Sequence, residues 1–238
     1  WIIKSKANKE EDDFRLRFIH SGIMKTPELS VLEASKEIHS YAERTHRMFG
    51  MVRDLLTTKD DDAFEKLYER IEKYEGISDN MEVEIAKYLD QVSDAHLSDD
   101  TKEKVRDMLR EITEIESIGD SCFNIARTIS RLRSSKEEFT ESQYDNIKQM
   151  FELTDDALSQ MSVVLIKYKS EVDVNRTFAI ESDINNYRAQ LRTQNINDIN
   201  EHKYSYTAGT LYMDIIQECE KLGDYIVNVV EARMCIRK

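Results

Sequence analysis

Proline and glycine are scarce in this sequence, and their scarcity constrains the fold more than any other feature. The 238 residues include one proline and six glycines. Tight turns depend on these two residue types, so a chain with so few of them is expected to consist of long helices. The single proline, Pro27, lies between Thr26 and Glu28. This is the pattern of a helix start, with a threonine cap, proline in the first turn and an acidic residue near the positive end of the helix dipole.

Six stretches of the sequence place apolar residues three or four positions apart, which is the spacing of an amphipathic helix. Two of them have clear starts. Ser98 comes just before two aspartates, and Thr140 is followed three residues later by Gln143, a pair that can form a capping box. The predicted helices cover residues 27–57, 60–93, 98–133, 140–170, 174–194 and 203–237.

The first 26 residues lack this helical spacing. Phe14, Leu16 and Phe18 alternate with arginines, which predicts a short extended segment lying against the helical body. The chain opens at Trp1 with three apolar residues, without a methionine, and several lysines follow. That order is expected where a membrane helix ends on the cytoplasmic side. An arbitrary boundary within a longer sequence would look the same.

The chain is strongly acidic, with a formal net charge of −13 and 34% charged residues. An acidic surface repels the phosphates of nucleic acids and anionic lipid headgroups, so neither is an expected partner. Cations and basic protein surfaces are attracted to it instead. No apolar stretch approaches the roughly 18 residues of a membrane span, and this chain is therefore expected to be a soluble domain.

The cysteines do not form a recognisable site. Cys122, Cys219 and Cys235 are scattered and odd in number. No two of them have the Cys-x-x-Cys spacing, so the sequence supports neither a disulfide framework nor a thiolate zinc site. Buried, reduced thiols are the expectation.

One short motif occurs twice in the sequence. The residues E-S-I-G-D run from Glu116 to Asp120, and E-K-L-G-D run from Glu220 to Asp224, an offset of 104 residues. An asparagine follows each aspartate by four residues. Glycine inside a helix costs about 1 kcal/mol relative to alanine, so its presence beside both aspartates indicates that a neighbouring helix or the shell of a bound ion approaches the backbone there. The motif indicates an internal duplication.

A weaker repeat supports the duplication. Glu75 and Asp79 in the second predicted helix correspond to Glu181 and Asn185 in the fifth, at an offset of 106 residues. Offsets that agree this closely assign three helices to each half of the chain. The expected architecture is an all-α tandem pair of three-helix bundles with a short irregular leader. The leader covers residues 1–26, the first bundle 27–134 and the second bundle 135–238.

Pairs of polar or acidic side chains four residues apart recur within these motifs. Such pairs lie on one face of a helix, with about 5–6 Å between their Cβ atoms, and can offer oxygens to a single cation. In the helical phase they fall opposite the apolar positions, on the outside of the bundle. The candidate metal ligands are Glu75, Asp79, Glu116, Asp120, Glu181, Asn185, Glu220 and Asp224. Ligands that are all oxygen predict a hard divalent or trivalent cation, Mg²⁺, Mn²⁺, Ca²⁺ or oxidised iron, whereas a solvated acidic face without metal explains the same spacing.

The repeated motif resembles that of the PhoU family, whose members carry a pattern like E-R-I-G-D-x-x-x-N-I in each half of a doubled three-helix bundle. The likeness covers roughly residues 28–238. It implies that these carboxylates bind multinuclear metal clusters on the bundle surface and that the protein down-regulates phosphate uptake and signalling. The second half departs from the pattern, with Asn185 in place of a carboxylate and Arg188 where the first half has Glu82. These departures predict weaker metal binding in the second half.

The leader resembles the segment that joins the membrane region of bacterial sodium/phosphate (Na/Pi) cotransporter-like proteins to their carboxy-terminal PhoU-like domain. The residues that carry this likeness run from Phe14 to Ile19 and from Thr26 to Leu29. The resemblance implies a metal-binding regulatory domain at the cytoplasmic face of the bacterial inner membrane, with the membrane-embedded transporter region of the same polypeptide as its partner. Phosphate-signalling proteins and a second copy of the chain, as a homodimer, are further partners left open. A free-standing PhoU-like regulator is the alternative.

The sequence offers little support for catalysis. A di-iron carboxylate enzyme needs Glu-x-x-His on two helices, and the chain has one such pair, Glu43 with His46. It also lacks a nucleophile elbow and a glycine-rich phosphate loop. The expectation is therefore a regulatory protein and not an enzyme, with a purely structural helical module as a third option.

Overall fold

Six α-helices account for nearly all of the described chain, as the shortage of proline and glycine predicts. The computed structural model describes residues 16–19, 26–94, 97–135, 137–167 and 173–236, and no strand occurs among them. The helices are α1 (Pro27–Thr57), α2 (Asp61–Ser93), α3 (Asp99–Ser134), α4 (Glu141–Ile166), α5 (Val174–Asn200) and α6 (Tyr206–Met234). The prediction of an all-α fold is confirmed.

Side-chain caps define most of the helix starts. Ser98 accepts a hydrogen bond from a backbone N–H in the first turn of α3, and Thr140 and Gln143 form the predicted capping box at the start of α4. Thr26 differs, because its side chain makes no capping hydrogen bond. The prediction is therefore correct in placing Thr26 at the N-cap position and wrong in expecting its side chain to cap the helix, and Pro27, whose ring fixes a helical φ angle, supports the start of α1.

Two helix ends differ from the prediction. α4 stops before the extended Lys167 rather than near residue 170. α5 continues to Asn200 instead of ending near residue 194. The reason lies in Asn195, a polar residue of the kind usually found on the surface, which is buried here and accepts a hydrogen bond from the Tyr204 hydroxyl at 3.0 Å. The contact holds the last turns of α5 against the connection to α6.

The helices form two three-helix units. α1, α2 and α3 pack against one another, and so do α4, α5 and α6. The most extensive contact between the units joins α3 to α6, and a smaller contact joins α1 to α4. Apolar side chains from all six helices build one continuous core. This arrangement confirms the predicted tandem pair of three-helix bundles.

Equivalent contacts in the two units confirm the internal duplication. Gly119 of α3 faces Ser78 of α2, and Gly223 of α6 faces Ile184 of α5. The glycines are related by the sequence offset of 104 residues and their partners by the offset of 106. Close approach of a neighbouring helix, one of the two explanations for the glycines, therefore accounts for Gly119, whereas a Cβ at Gly223 would make only ordinary van der Waals contact.

A buried ion pair crosses the contact between α3 and α6. Nη2 of Arg233 lies 3.1 Å from Oε2 of the buried Glu111, and Nη1 of Arg233 donates a hydrogen bond to Ser35 of α1. Arg110 pairs with the buried Glu231 at 3.4 Å beside it. Loss of an arginine would weaken the compensation of a buried carboxylate, so these pairs favour one placement of the two units against each other.

The cysteines follow the prediction in two of three cases. Cys122 and Cys219 are buried in the core, whereas Cys235 is exposed, and all three are free thiols. The expectation of a buried thiol is thus wrong for Cys235. This residue lies just after the last turn of α6 with φ at 56°, where no helix covers it, and its thiol donates a hydrogen bond to Oδ2 of Asp107 at 3.0 Å.

The described part of the leader is held by a buried glutamate of α1. Oε2 of Glu37 accepts hydrogen bonds from the backbone N–H groups of Arg17 and Phe18, at 2.9 and 2.7 Å. The backbone bends around this carboxylate, so Leu16 and Ile19 contact the core while Phe18 is exposed. The prediction of a simple extended segment is wrong here, because the alternating apolar pattern does not record the hydrogen bonds to Glu37.

Phe14 and the apolar start at Trp1 lie outside the described residues, and the membrane helix inferred before Trp1 stays a prediction. In the part of the chain that the structure describes, no helix combines the length and the apolar character that crossing a bilayer requires.

Alanine substitutions at the two motif glycines are expected to differ in their effect. A Cβ at Gly119 would lie 2.8 Å from Oγ of Ser78, which is buried and hydrogen-bonded to the Tyr41 hydroxyl at 2.9 Å. A Cβ at Gly223 would meet its nearest neighbour, Cδ1 of Ile184, at 3.4 Å. Both variants gain about 1 kcal/mol of helix propensity. Gly119→Ala also displaces Ser78, so its free energy of unfolding should be about 1–3 kcal/mol lower than that of Gly223→Ala.

Urea unfolding followed by circular dichroism measures this difference, with Gly223→Ala as the matched control. Equal stability of the two variants would mean that the glycine at position 119 is not needed for the contact between α2 and α3.

Candidate metal centre

Two carboxylate pairs from neighbouring helices meet on the surface of the first unit. Glu75 and Asp79 lie one turn apart on α2, and Glu116 and Asp120 lie one turn apart on α3. The two helices approach closely at Gly119, beside these residues. One oxygen from each of Glu75, Asp79 and Asp120 lies within 4.8 Å of the other two. The structure therefore brings together three of the four carboxylates predicted to converge in this unit.

Glu116 is the fourth carboxylate of this acidic cluster and is half-buried. Burial, followed by the negative charges of Asp120, Glu82 and Asp79, raises its pKa to about 7. The Ser117 hydroxyl donates a hydrogen bond to Oε2 of Glu116 at 3.4 Å and acts in the opposite direction. Near neutral pH the folded protein therefore holds Glu116 in a mixture of charged and protonated forms.

Two of the converging carboxylates also resist ionisation. Burial, then the charges of Asp79 and Asp120, raises the pKa of Glu75. Burial and Asp79 likewise raise the pKa of Asp120, although a hydrogen bond with Glu116 works against this shift. Like charges one turn apart destabilise a helix, so a cation bound among these residues would stabilise α2 and α3.

The oxygens of the cluster have a spacing that suits a hard cation. Ca²⁺ binds oxygen at about 2.3–2.6 Å and Mg²⁺ at about 2.0–2.1 Å, so two oxygens on one ion lie no more than about 5 Å apart for Ca²⁺ and about 4 Å apart for Mg²⁺. One oxygen each of Glu75, Asp79 and Asp120 lies within 4.8 Å of the others, inside the limit for Ca²⁺. The donors are carboxylates without histidine or cysteine, which favours Mg²⁺, Mn²⁺, Ca²⁺ or oxidised iron over zinc or copper.

Glu82 is a further acidic residue of this surface that the sequence motifs did not single out as a ligand. It lies on α2, and its Oε1 accepts a hydrogen bond from Thr113 of α3 at 3.0 Å. Its charge contributes to the raised pKa of Glu116. A signal for it exists in the sequence, since Glu82 corresponds to Arg188 at the same offset of 106 residues that relates the other positions of α2 and α5.

An arginine occupies the corresponding surface of the second unit. Nη2 of Arg188 lies 2.6 Å from Oε1 of Glu220, and the Asn185 amide donates a hydrogen bond to Oε1 of Glu181. A guanidinium from within the chain therefore places a positive charge against a carboxylate of this surface. Among the residues described for this unit, Asp224 included, no three possible ligands come as close together as those of the first unit.

The single Glu-x-x-His pair of the sequence does not form a metal site with a second such pair. Oε1 of Glu43 lies 3.5 Å from Nε2 of His39, one turn earlier on α1. Nε2 of His46 lies 3.0 Å from Oδ1 of Asp155 on α4. The two side chains thus contact separate partners, an arrangement unlike the bridging carboxylates and histidines of a di-iron site.

Comparison with known proteins identifies the family. A sequence model of the PhoU domain matches residues 38–129 and 147–232, with one match in each three-helix unit. The chain belongs to the PhoU family. The first PhoU match contains all four carboxylates of the acidic cluster, and the second contains the surface occupied by Arg188.

Two crystal structures of PhoU proteins share the fold. The phosphate transport system regulatory protein PhoU from Streptococcus pneumoniae superposes with a TM-score of 0.72 over 87% of this chain and 94% of its own, at 18% sequence identity. PhoU from Pseudomonas aeruginosa superposes with a TM-score of 0.66 over 86% of this chain and 95% of its own, at 13% identity. At these identities the likeness is one of fold. No curated protein sequence matches the chain.

The raised pKa of Glu116 predicts how the stability of the metal-free protein varies with pH. Its pKa rises from 4.5 to about 7 on folding, so between these values the folded state binds more protons than the unfolded state. The contribution of Glu116 to stability is therefore present at low pH and is lost as the pH rises toward 7. The melting temperature of Glu116→Gln should accordingly fall less between about pH 5 and pH 7.5 than that of the wild type.

Differential scanning calorimetry at several pH values checks this expectation. Glu69→Gln, which changes an exposed glutamate of α2, is the control and should retain the wild-type dependence. An identical pH dependence of Glu116→Gln and the wild type would contradict the assignment.

Proposed function

We propose that this chain regulates phosphate transport as a PhoU-type protein, acting by binding and not by catalysis. The observation that carries the proposal is the presence of one PhoU-domain match in each three-helix unit. PhoU is a regulatory family, and the similar protein from Streptococcus pneumoniae is described as a regulatory protein of a phosphate transport system. The acidic cluster offers the chain a way to make this role depend on a cation.

We infer that Glu75, Asp79 and Asp120 hold a hard cation in the first unit. A bound cation would supply positive charge between the carboxylates. The oxygens come from both α2 and α3, so the ion would stabilise the contact between the two helices. Asp79 and Asp120 are exposed, and the ion would therefore exchange with solvent. Its removal should lower the melting temperature without unfolding the protein.

A free-standing regulator is the better supported of the two settings for this function. The similar structures are both of PhoU, and the chain covers 94% and 95% of their lengths. The second candidate is a regulatory domain at the cytoplasmic face of the inner membrane, attached to a sodium-dependent phosphate cotransporter. It is supported by the leader sequence from Phe14 to Leu29. DNA sequence upstream of the Trp1 codon separates the two, since several apolar spans indicate the cotransporter and a start codon indicates the free-standing protein.

Metal binding is expected to be stronger in the first unit than in the second. Calorimetric titration of Mn²⁺ into chelator-treated protein should show a binding event that disappears in the double variant Glu116→Ala with Asp120→Ala. The reason is that the second unit already places Arg188 against Glu220, and a cation there would have to displace a guanidinium.

The matched control is the double variant Glu220→Ala with Asp224→Ala, which should retain the Mn²⁺ binding event assigned to the first unit. Binding that survives the first double variant, or that is lost only in the second, would contradict the assignment. A bare acidic face would bind no Mn²⁺, and its alanine variants would be slightly more stable because repulsion is relieved.

The regulatory role is tested by phosphate uptake. Expression of the complete chain in a bacterium that lacks its own PhoU-type regulator should lower the rate of uptake of radiolabelled phosphate relative to an empty vector. Glu75→Ala with Asp79→Ala should weaken this effect, because α2 then contributes no carboxylate to the proposed ion. Glu69→Ala on the same helix is the control and should behave like the wild type. Unchanged uptake on expression of the wild-type chain would count against the proposed function.

A further inference from the structure

A basic cleft lies between α1 and α2 in a protein whose net charge is −13. Its volume is about 500 Å³. Arg47, Gly50 and Arg53 line it from α1, and Arg70 and Tyr74 line it from α2. None of these residues belongs to the acidic cluster, so the basic cleft is a separate feature of the first unit.

Arg70 of the basic cleft lies against the ring of the buried Tyr74, and Arg44, which does not line the cleft, contacts the same ring. The guanidinium carbons of Arg44 and Arg70 lie 5.4 and 5.5 Å from the centre of the Tyr74 ring, a distance at which a cation is attracted to an aromatic face. Arg47 lines the same cleft, and Asp54 is the acidic residue on its wall. The lining of the cleft thus includes three arginines, Arg47, Arg53 and Arg70, and one acidic residue, an excess of positive charge that attracts an anion.

Arg47 has hydrogen-bonding capacity that the described structure does not use. The side chain is half-buried, and its buried Nε has no acceptor within hydrogen-bonding distance among the described residues. Arg53, by contrast, is held by Asp155 of α4, with 2.9 Å between Nη1 and Oδ2. A guanidinium donates in a planar fork that matches the oxygens of a phosphate group. Arg47 is therefore the residue on which binding of an oxyanion would depend most.

Gly50 leaves one wall of the basic cleft without a side chain. A Cβ at this position would meet no atom within 4 Å, whereas a Cβ at Gly119 would lie 2.8 Å from the Ser78 hydroxyl. Helix packing thus explains Gly119 and does not explain Gly50. Glycine in the interior of α1 costs about 1 kcal/mol relative to alanine. The open space beside the arginines gives a ligand access to them, and this access is a reason for glycine at position 50 that helix packing does not supply.

We propose that the basic cleft binds a small oxyanion of the phosphate type, either inorganic phosphate or the phosphoryl end of a small molecule. Arg47 and Arg70 donate hydrogen bonds to its oxygens from two helices, and Gly50 leaves room for it. The volume of about 500 Å³ lies within the range of small-molecule sites, about 300–1,000 Å³. The proposal is independent of the acidic cluster and of the regulatory role proposed above.

The test is a calorimetric titration of the complete chain with inorganic phosphate and, in a second arm, with pyrophosphate, at constant ionic strength. Metal is first removed with a chelating resin, because soluble chelators are themselves polyanions. One saturable site is expected. Arg47→Gln should weaken binding about tenfold or more, since it removes a charged hydrogen-bond donor. Gly50→Leu should weaken binding as well, because it fills the cleft and leaves every charge in place.

Arg192→Gln is the matched control, since Arg192 is exposed on α5 in the second unit, and it should bind as the wild type does. Gly50→Ala keeps the steric test usable if Gly50→Leu does not fold, because a methyl group fits the open space and favours the helix. Its affinity should be lower than that of the wild type and higher than that of Gly50→Leu.

The two arms distinguish the sources of the oxyanion. Tighter binding of pyrophosphate supports the phosphoryl end of a larger molecule, and tighter binding of inorganic phosphate supports the free anion. Equal weakening in Arg47→Gln and Arg192→Gln would overturn the proposal, because the attraction would then be diffuse. The absence of saturable binding in both arms would also overturn it. If a polyglutamate peptide, titrated in the same way, bound while neither phosphate nor pyrophosphate did, the cleft would be assigned to an acidic protein partner instead.

Discussion

The close contact of α2 with α3 at Gly119 is the constraint on which the candidate metal centre depends. A side chain at this position would occupy the space of the Ser78 hydroxyl, so glycine lets the two helices approach. Ser78 is also hydrogen-bonded to the buried Tyr41 of α1, and all three helices of the first unit therefore meet at one point. Glu75 and Asp120 lie beside this contact on the outer face. The carboxylates are held together by the packing of the core, because their mutual interaction is repulsive.

Equivalent surfaces of the two units both carry carboxylates, but their electrostatic surroundings differ. In the first unit, burial and then the charges of neighbouring carboxylates raise the pKa values of Glu75 and Glu116, and the pKa of Glu116 reaches about 7. In the second unit, Arg188 lies 2.6 Å from Glu220 at the position that corresponds to Glu82. A duplicated fold can thus carry a surface of clustered carboxylates in one unit and a surface with its own guanidinium in the other.

Features set by local helical periodicity could be predicted from the sequence, and features set by contacts between distant segments could not. The repeat at Gly119 and Gly223 is visible because each copy is contiguous, and it locates both the duplication and the acidic motifs. The bend of the leader depends on hydrogen bonds to Glu37, and the position at which α5 ends depends on the burial of Asn195. The basic cleft requires Arg47 of α1 to face α2, which no spacing within one helix reveals. These properties follow from how the helices pair.

Opposite charges lie on two faces of α2. Tyr74 has two guanidinium groups within 5.5 Å of its ring centre, and the next residue, Glu75, belongs to the acidic cluster. Consecutive residues of a helix point about 100° apart, so one face of α2 meets α1 across the basic cleft while another meets α3 across the carboxylates. An anion in the cleft would reduce repulsion between cationic groups, and a cation in the cluster would reduce repulsion between anionic groups. Each ion would thereby stabilise one side of the same helix. α2 is therefore the element through which occupancy of either site would change the stability of the first unit.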